Sequence, residues 1–173
     1  MTLPLESRLT LTVNGHTHVG LVEARTTLVD FLRDQLGLTG THVGCEHGVC
    51  GACSVLLDGL PVRACCMFAL QADGMEVTTV EGLASASATG ARLQEAFCES
   101  HALQCGYCTP GMLIACEALL RSTPEPSESQ VREAIGGNLC RCTGYQQIVD
   151  AVLSLTADAA SDRIHDESQN GRE

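Results

Sequence analysis

The feature that most constrains this chain is the spacing of its cysteines. Eleven of its 173 residues are Cys. Three of them, Cys45, Cys50 and Cys53, stand in the order C-x4-C-x2-C within a glycine-rich stretch, and Cys65 and Cys66 come next. That triple is the plant-type spacing for ligating a 2Fe-2S cluster. A cluster with four thiolates needs three on a loop that wraps its rim and a fourth delivered from elsewhere in the fold. Gly44, Gly48 and Gly51 suit such a loop, because the backbone must pass close to the inorganic sulfides and at some positions adopt positive φ. The intervening N–H groups are then free to donate to sulfur. Spacing leaves the fourth ligand open between Cys65 and Cys66. A structural zinc site is the competing use, but zinc ligands come as two pairs with two to four intervening residues rather than as a triple. Cys45-Glu46-His47 has the form of half a Rieske site; no second Cys-x-x-His follows, so His47 reads as a loop residue.

A second group of thiols lies further on. Cys105-x2-Cys108 and Cys140-x-Cys142 each precede an expected helix start, with Pro110 just after Thr109 in the first case. The positive end of a helix dipole and its free N–H groups favour an anionic four-thiolate cluster. Alone, C-x-x-C is weak; beside C-x-C and the first loop it indicates a second 2Fe-2S site. Cys98 and Cys116 read as buried small hydrophobes, and none of the six His pairs with carboxylates in a catalytic pattern.

An odd number of Cys is a poor disulfide framework, and the N-terminus lacks a charged segment followed by an apolar one. The expected location is the cytoplasm, without a membrane span. A net charge of -11 and 3% aromatic residues make nucleic acid a poor partner, and none is expected.

Periodicity divides the chain. Leu9, Leu11 and Val13 alternate before the Asn14-Gly15 turn, predicting a hairpin that returns through Val22. Thr27 caps a helix with Leu28, Phe31, Leu32 and Leu36 on one face and Gly37 as its stop. Ser54 to Leu57, Asp58-Gly59 and Pro61 to Ala64 predict a second hairpin, and Met75 to Val80 a further strand. The first unit, 1–82, is therefore α+β. From about Leu83 the period is helical, with four helices marked by Leu93 and Phe97, by Met112 and Leu120, by Val131 and Ile135, and by Ile148 and Val152. Ser127 with Gln130, and Thr143 with Gln146, have the form of capping boxes. The second unit, 83–157, is a four-helix arrangement built as a pseudo-repeat of two helix-loop-helix halves, and 158–173 is expected to be a disordered polar tail.

The stretches Gly44-Cys45-Glu46-His47-Gly48-Val49-Cys50-Gly51-Ala52-Cys53, Gln104-Cys105-Gly106-Tyr107-Cys108-Thr109-Pro110-Gly111-Met112 and Asn138-Leu139-Cys140-Arg141-Cys142-Thr143-Gly144-Tyr145 together resemble the small iron-sulfur subunit of the molybdenum hydroxylases, the xanthine oxidase and aerobic carbon monoxide dehydrogenase family. The resemblance implies a β-grasp 2Fe-2S ferredoxin domain followed by an all-α four-helix bundle. It implies Cys45, Cys50, Cys53 and Cys65 as ligands of the first cluster and Cys105, Cys108, Cys140 and Cys142 as ligands of the second. By the same resemblance, Gln104 and Cys142 approach a molybdopterin in a large partner subunit, FAD sits in a medium partner, and an (αβγ)2 assembly passes electrons from molybdenum through this chain to the flavin. The chain would then be the non-catalytic, electron-transfer part of an oxidoreductase. A stand-alone ferredoxin-like carrier and a zinc-stabilised interaction module are the competing readings. The substrate of such a complex binds in another chain.

Overall fold

The computed structural model describes residues 6–156, so the tail expected over 158–173 lies outside the described residues. β1 (Glu6–Val13) and β2 (His16–Glu23) form an antiparallel hairpin. Asn14 and Gly15 both take positive φ, 52° and 80°, as a two-residue turn matched to strand twist requires. Alternation buries Leu9, Leu11 and Val13.

α1 (Leu28–Asp30) begins where the Thr27 hydroxyl accepts the Asp30 N–H, as expected of its cap. The sequence predicts a regular helix to Leu36, but the chain widens into a π turn over Phe31–Gln35, closed by the Leu36 N–H on the Phe31 carbonyl. Phe31 and Leu32 are both buried as a result, alongside Leu28. β3 (Ser54–Leu57) and β4 (Leu60–Arg63) form the second hairpin. β5 (Glu76–Thr78) lies between β1, to which it is parallel, and β3, to which it is antiparallel. The sheet order β2-β1-β5-β3-β4 with α1 packed against it is the β-grasp arrangement.

β5 ends short of the expected Val80. Asn14 accepts the Thr79 N–H at 2.9 Å, and Glu81 takes the Gly40 N–H at 2.7 Å. These contacts turn the chain into an additional helix, α2 (Val80–Ala86), which periodicity did not separate from the bundle. Four further helices form that bundle: α3 (Ala88–Glu99), α4 (Thr109–Ser122), α5 (Glu128–Ile135) and α6 (146–156). The Ser127–Gln130 capping box is present. The one expected at Thr143 and Gln146 is not. The Thr143 hydroxyl accepts the Tyr145 N–H and meets Cys140 Sγ, while Gln146 bonds Asp150 and Arg132. Thr143 serves the sulfur instead of the helix.

The bundle core holds Leu93, Phe97, Met112, Ile114, Ile148 and Val152, joined by Leu56 from β3. Each such side chain contributes about 1.5–3 kcal/mol by leaving water. Cys116 is fully buried there, and burial alone pushes its thiol up to about 12. It behaves as a small hydrophobe; Cys98, expected to be buried in the same way, is instead exposed near the end of α3. Cys116→Ala is expected to cost about 1 kcal/mol of stability, read by thermal unfolding, and to leave the metal content unchanged. Among the described residues no helix is long and apolar enough to cross a membrane.

Candidate metal centres

All eleven Cys are free thiols. Eight of them fall into two groups of four, and each group is made of two facing pairs. In the loop between α1 and β3, Cys45 faces Cys50, and Cys53 faces Cys65, with Cys50 close enough for its charge to be felt at Cys53. The loop is shaped around these sulfurs. Gly48 and Gly51 take φ of 81° and 74°, and Glu46 is also left-handed at 59°. Gly44 is held to glycine by space instead, since a Cβ there would come within 3.0 Å of Cys50 Sγ. At that position the demand is close approach rather than positive φ.

The Cys50 N–H lies 3.4 Å from Cys45 Sγ. With a further backbone contact from His47, it brings the Cys45 thiol down to about 6. Burial has the opposite effect on Cys53, pushing it up to about 12. The loop thus offers one thiolate near neutral pH and one buried thiol that ionises only when metal binds and its proton is released. Cys66 is exposed, and its Sγ sits 3.6 Å from that of Cys65. The His47 imidazole bonds the Cys45 carbonyl.

In the bundle, Cys108 faces Cys140 and Cys105 faces Cys142. Burial pushes Cys108 up to about 12. Burial also acts upward on Cys140, but it is outweighed by the Thr143 hydroxyl at 3.1 Å and the Thr143 N–H at 3.4 Å, so that this thiol is lowered overall. Tyr145, at φ 71°, brings its hydroxyl back to accept the Cys140 N–H at 2.8 Å. Cys105, Cys142 and Gln104 are exposed, whereas Cys108 and Cys140 are partly covered.

A cavity of about 270 Å³ is lined by all four of these thiols together with Gly44, Cys50 and Tyr107. It therefore lies between the two groups. Larger clefts, of about 610 and 510 Å³, run along the Asp58-Gly59 turn and Arg121 and are lined by none of the eight thiols. The buried Thr109 hydroxyl, next to Cys108, has no hydrogen-bond partner among the described residues. Among those residues no three His, Cys, Asp or Glu side chains gather around one metal-ion position. Two facing pairs would suit a two-iron body with two thiolates to each iron, and the donor set is all sulfur, as in plant-type 2Fe-2S ligation. The residues present fit the group.

Several side chains that shape the site carried no signal in the cysteine spacing. Arg63 bonds the Gly137 carbonyl, Asn138 and Ser54; Asn138, 2% exposed, donates to the Gly51 carbonyl. Tyr107 stacks on His42 and donates to the Val43 carbonyl. These contacts lock the first loop against the turns that carry the second quartet.

The family described as "2Fe-2S iron-sulfur cluster binding domain" matches residues 11–78, and that described as "[2Fe-2S] binding domain" matches residues 79–153. The chain is 54% identical to the caffeine dehydrogenase subunit gamma of Pseudomonas sp. (strain CBB1), over 86% of this chain and 90% of that protein. It is 51% identical to the nicotine 6-hydroxylase small subunit of Paenarthrobacter nicotinovorans, over 88% and 93%. Among solved structures, a chain of quinoline 2-oxidoreductase from Pseudomonas putida 86 superposes with a TM-score of 0.83 at 46% identity, covering 92% of this chain and 98% of that one.

Proposed function

Since the chain belongs to the small iron-sulfur subunits of the molybdenum hydroxylases, we propose that its two thiol quartets are the two cluster frames of an electron-transfer subunit. Cys45, Cys50, Cys53 and Cys65 hold one 2Fe-2S cluster, and Cys105, Cys108, Cys140 and Cys142 hold the other. The observation that carries this reading is the resolution of eight thiols into two sets of facing pairs. When bound, the clusters supply one-electron acceptor and donor chemistry at potentials set by their hydrogen bonds and exposure.

The chain's own residues divide the work. The loop glycines let backbone close on the first quartet, and N–H groups of Cys50 and Thr143 point at sulfur. Cys65, which faces Cys53, completes the first frame, and exposed Cys66 stays outside it. The exposed Cys105, Cys142 and Gln104 form the face turned to a large subunit carrying molybdopterin, and FAD sits in a medium subunit. The assembly is (αβγ)2 and cytoplasmic, and the two units of this chain divide near residue 82. The substrates for which two relatives are named, caffeine and nicotine, support a complex that hydroxylates N-heterocycles.

The test is analytical. The purified complex is expected to hold about four irons and four sulfides per copy of this chain, with visible absorbance that bleaches on reduction, and to bring flavin and molybdopterin subunits with it. Cys66→Ser should keep the full iron complement, whereas Cys65→Ser should lose about half of it, by the two irons each frame holds. A colourless protein carrying zinc would overturn the reading.

A further inference from the structure

Three segments that carry ligands of both quartets meet at one buried amide. Asn138 lies two residues before Cys140, Gly51 lies between Cys50 and Cys53, and Arg63 lies two residues before Cys65. The Asn138 side-chain NH2 donates to the Gly51 carbonyl at 3.1 Å, and its carbonyl oxygen accepts from the Arg63 guanidinium at 3.2 Å. Arg63 also donates to the Gly137 carbonyl at 2.7 Å, and the Ser54 hydroxyl donates to the Gly51 carbonyl at 2.6 Å. An amide this deeply buried is costly unless it is paired; here both of its ends are used, each on a different segment. The next residue along completes the connection: the Leu139 N–H donates to the Cys50 carbonyl at 2.8 Å. From Cys50 Sγ to Cys140 Sγ there is thus a path along the two backbones with that single hydrogen bond as its only non-covalent step.

We infer that Asn138, gripped by Arg63, is a positioning residue for electron passage between the quartets, holding the Gly51 turn so that the Cys50 carbonyl and Leu139 amide stay bonded. The inference rests on the reading that both quartets hold 2Fe-2S clusters. One electron crosses per event. One iron on the Cys140 side is oxidised from ferrous to ferric, one on the Cys50 side is reduced, no covalent bond forms or breaks, and no proton is needed. The Leu139 side chain is 55% exposed and takes no part; only its amide does.

The experiment uses the whole complex with Asn138→Ala, and Val19→Ala, on an exposed face of β2 away from both quartets, as the control. Iron and sulfide content, the two EPR signals, their mutual magnetic splitting in the reduced state, and the rate of electron redistribution after flash reduction are measured. Asn138→Ala is expected to keep both signals and full iron, to change the splitting, and to slow redistribution about tenfold, the lower end of what outer-sphere changes cost in activity. Val19→Ala is expected to match the wild type. Unchanged splitting and rate in Asn138→Ala at full iron would overturn the inference and leave the cluster assignment standing. Should Asn138→Ala lose iron, Asn138→Ser and Arg63→Lys weaken the same grip, and unchanged rates in both at full iron overturn the inference equally. A wild type without any 2Fe-2S signal would instead refute the reading on which it rests.

Discussion

Replacement of Cys50 by Ala is expected to yield a complex with about half the iron and sulfide of the wild type and one of its two EPR signals missing, because on the proposed assignment each quartet would hold two irons. Cys50 faces Cys45, gives that sulfur its N–H at 3.4 Å, and is close to Cys53. Cys66 also lies near this loop, its Sγ 3.6 Å from that of Cys65, so the variant is read in the Cys66→Ser background as well, where the same loss is expected. Cys108→Ala is expected to remove the other signal and leave the first. Cys108 is the partly buried partner of Cys140, so a thiol from solvent cannot easily substitute. The two variants together test the partition of ligands. If either change left both signals in place, or either removed both with the protein still folded, the partition would be wrong. Substrate-dependent reduction of the flavin is expected to fail in both, because the electron route is then cut at one end or the other.

Gly111→Ala is expected to be among the most disruptive substitutions that touch no ligand. Gly111 sits in the first turn of α4 with ordinary helical backbone, where Ala would stabilise an isolated helix by about 0.5–1 kcal/mol. Here the added Cβ would meet the Gly51 carbonyl oxygen at 2.2 Å and the Asn138 amide at 3.0 Å. The obstacle is backbone of the first loop, itself bonded to Asn138 and Ser54, so it has no flexible side chain to move aside. Overpacking of this kind costs about 3 kcal/mol or more, the upper end of the usual range. A lowered unfolding temperature with loss of iron from both quartets is the expected outcome. A variant of wild-type stability with full iron would show that the loop and α4 are not in contact in the assembled protein.

Much of this architecture is legible in the sequence because metal ligation and turn chemistry leave local marks. Asn14-Gly15 and Asp58-Gly59 announce their hairpins, Ser127 and Gln130 their helix start, and the thiol spacings both quartets. The misses share another cause. α2 exists because Asn14 and Gly40, distant in sequence, bind Thr79 and Glu81; the Thr143–Gln146 box fails because a sulfur competes for the hydroxyl. The π turn after Asp30 is decided by which residues must face the sheet. Arg63 and Asn138 act across more than seventy residues of chain, and a residue whose partner is that far away has no periodicity or spacing to betray it. Asn138 stands in the stretch Asn138-Leu139-Cys140, so its neighbourhood is visible in the sequence and its role is not.

The bond between Asn138 and the Gly51 carbonyl also bears on how the protein is made. Synthesis proceeds from the N-terminus, so all of the first quartet and every strand of the sheet leave the ribosome long before Asn138 exists. During that interval Gly51 lacks the side chain that holds it, and α4, whose Gly111 abuts it, is still to come. Closing contacts this far apart in sequence is slow. A chain cut short before Asn138 would keep every thiol of the first quartet but lose the bond on Gly51 and the connection through the Leu139 N–H to the Cys50 carbonyl; its N-terminal half is expected to unfold at a lower temperature than the same half in the whole protein.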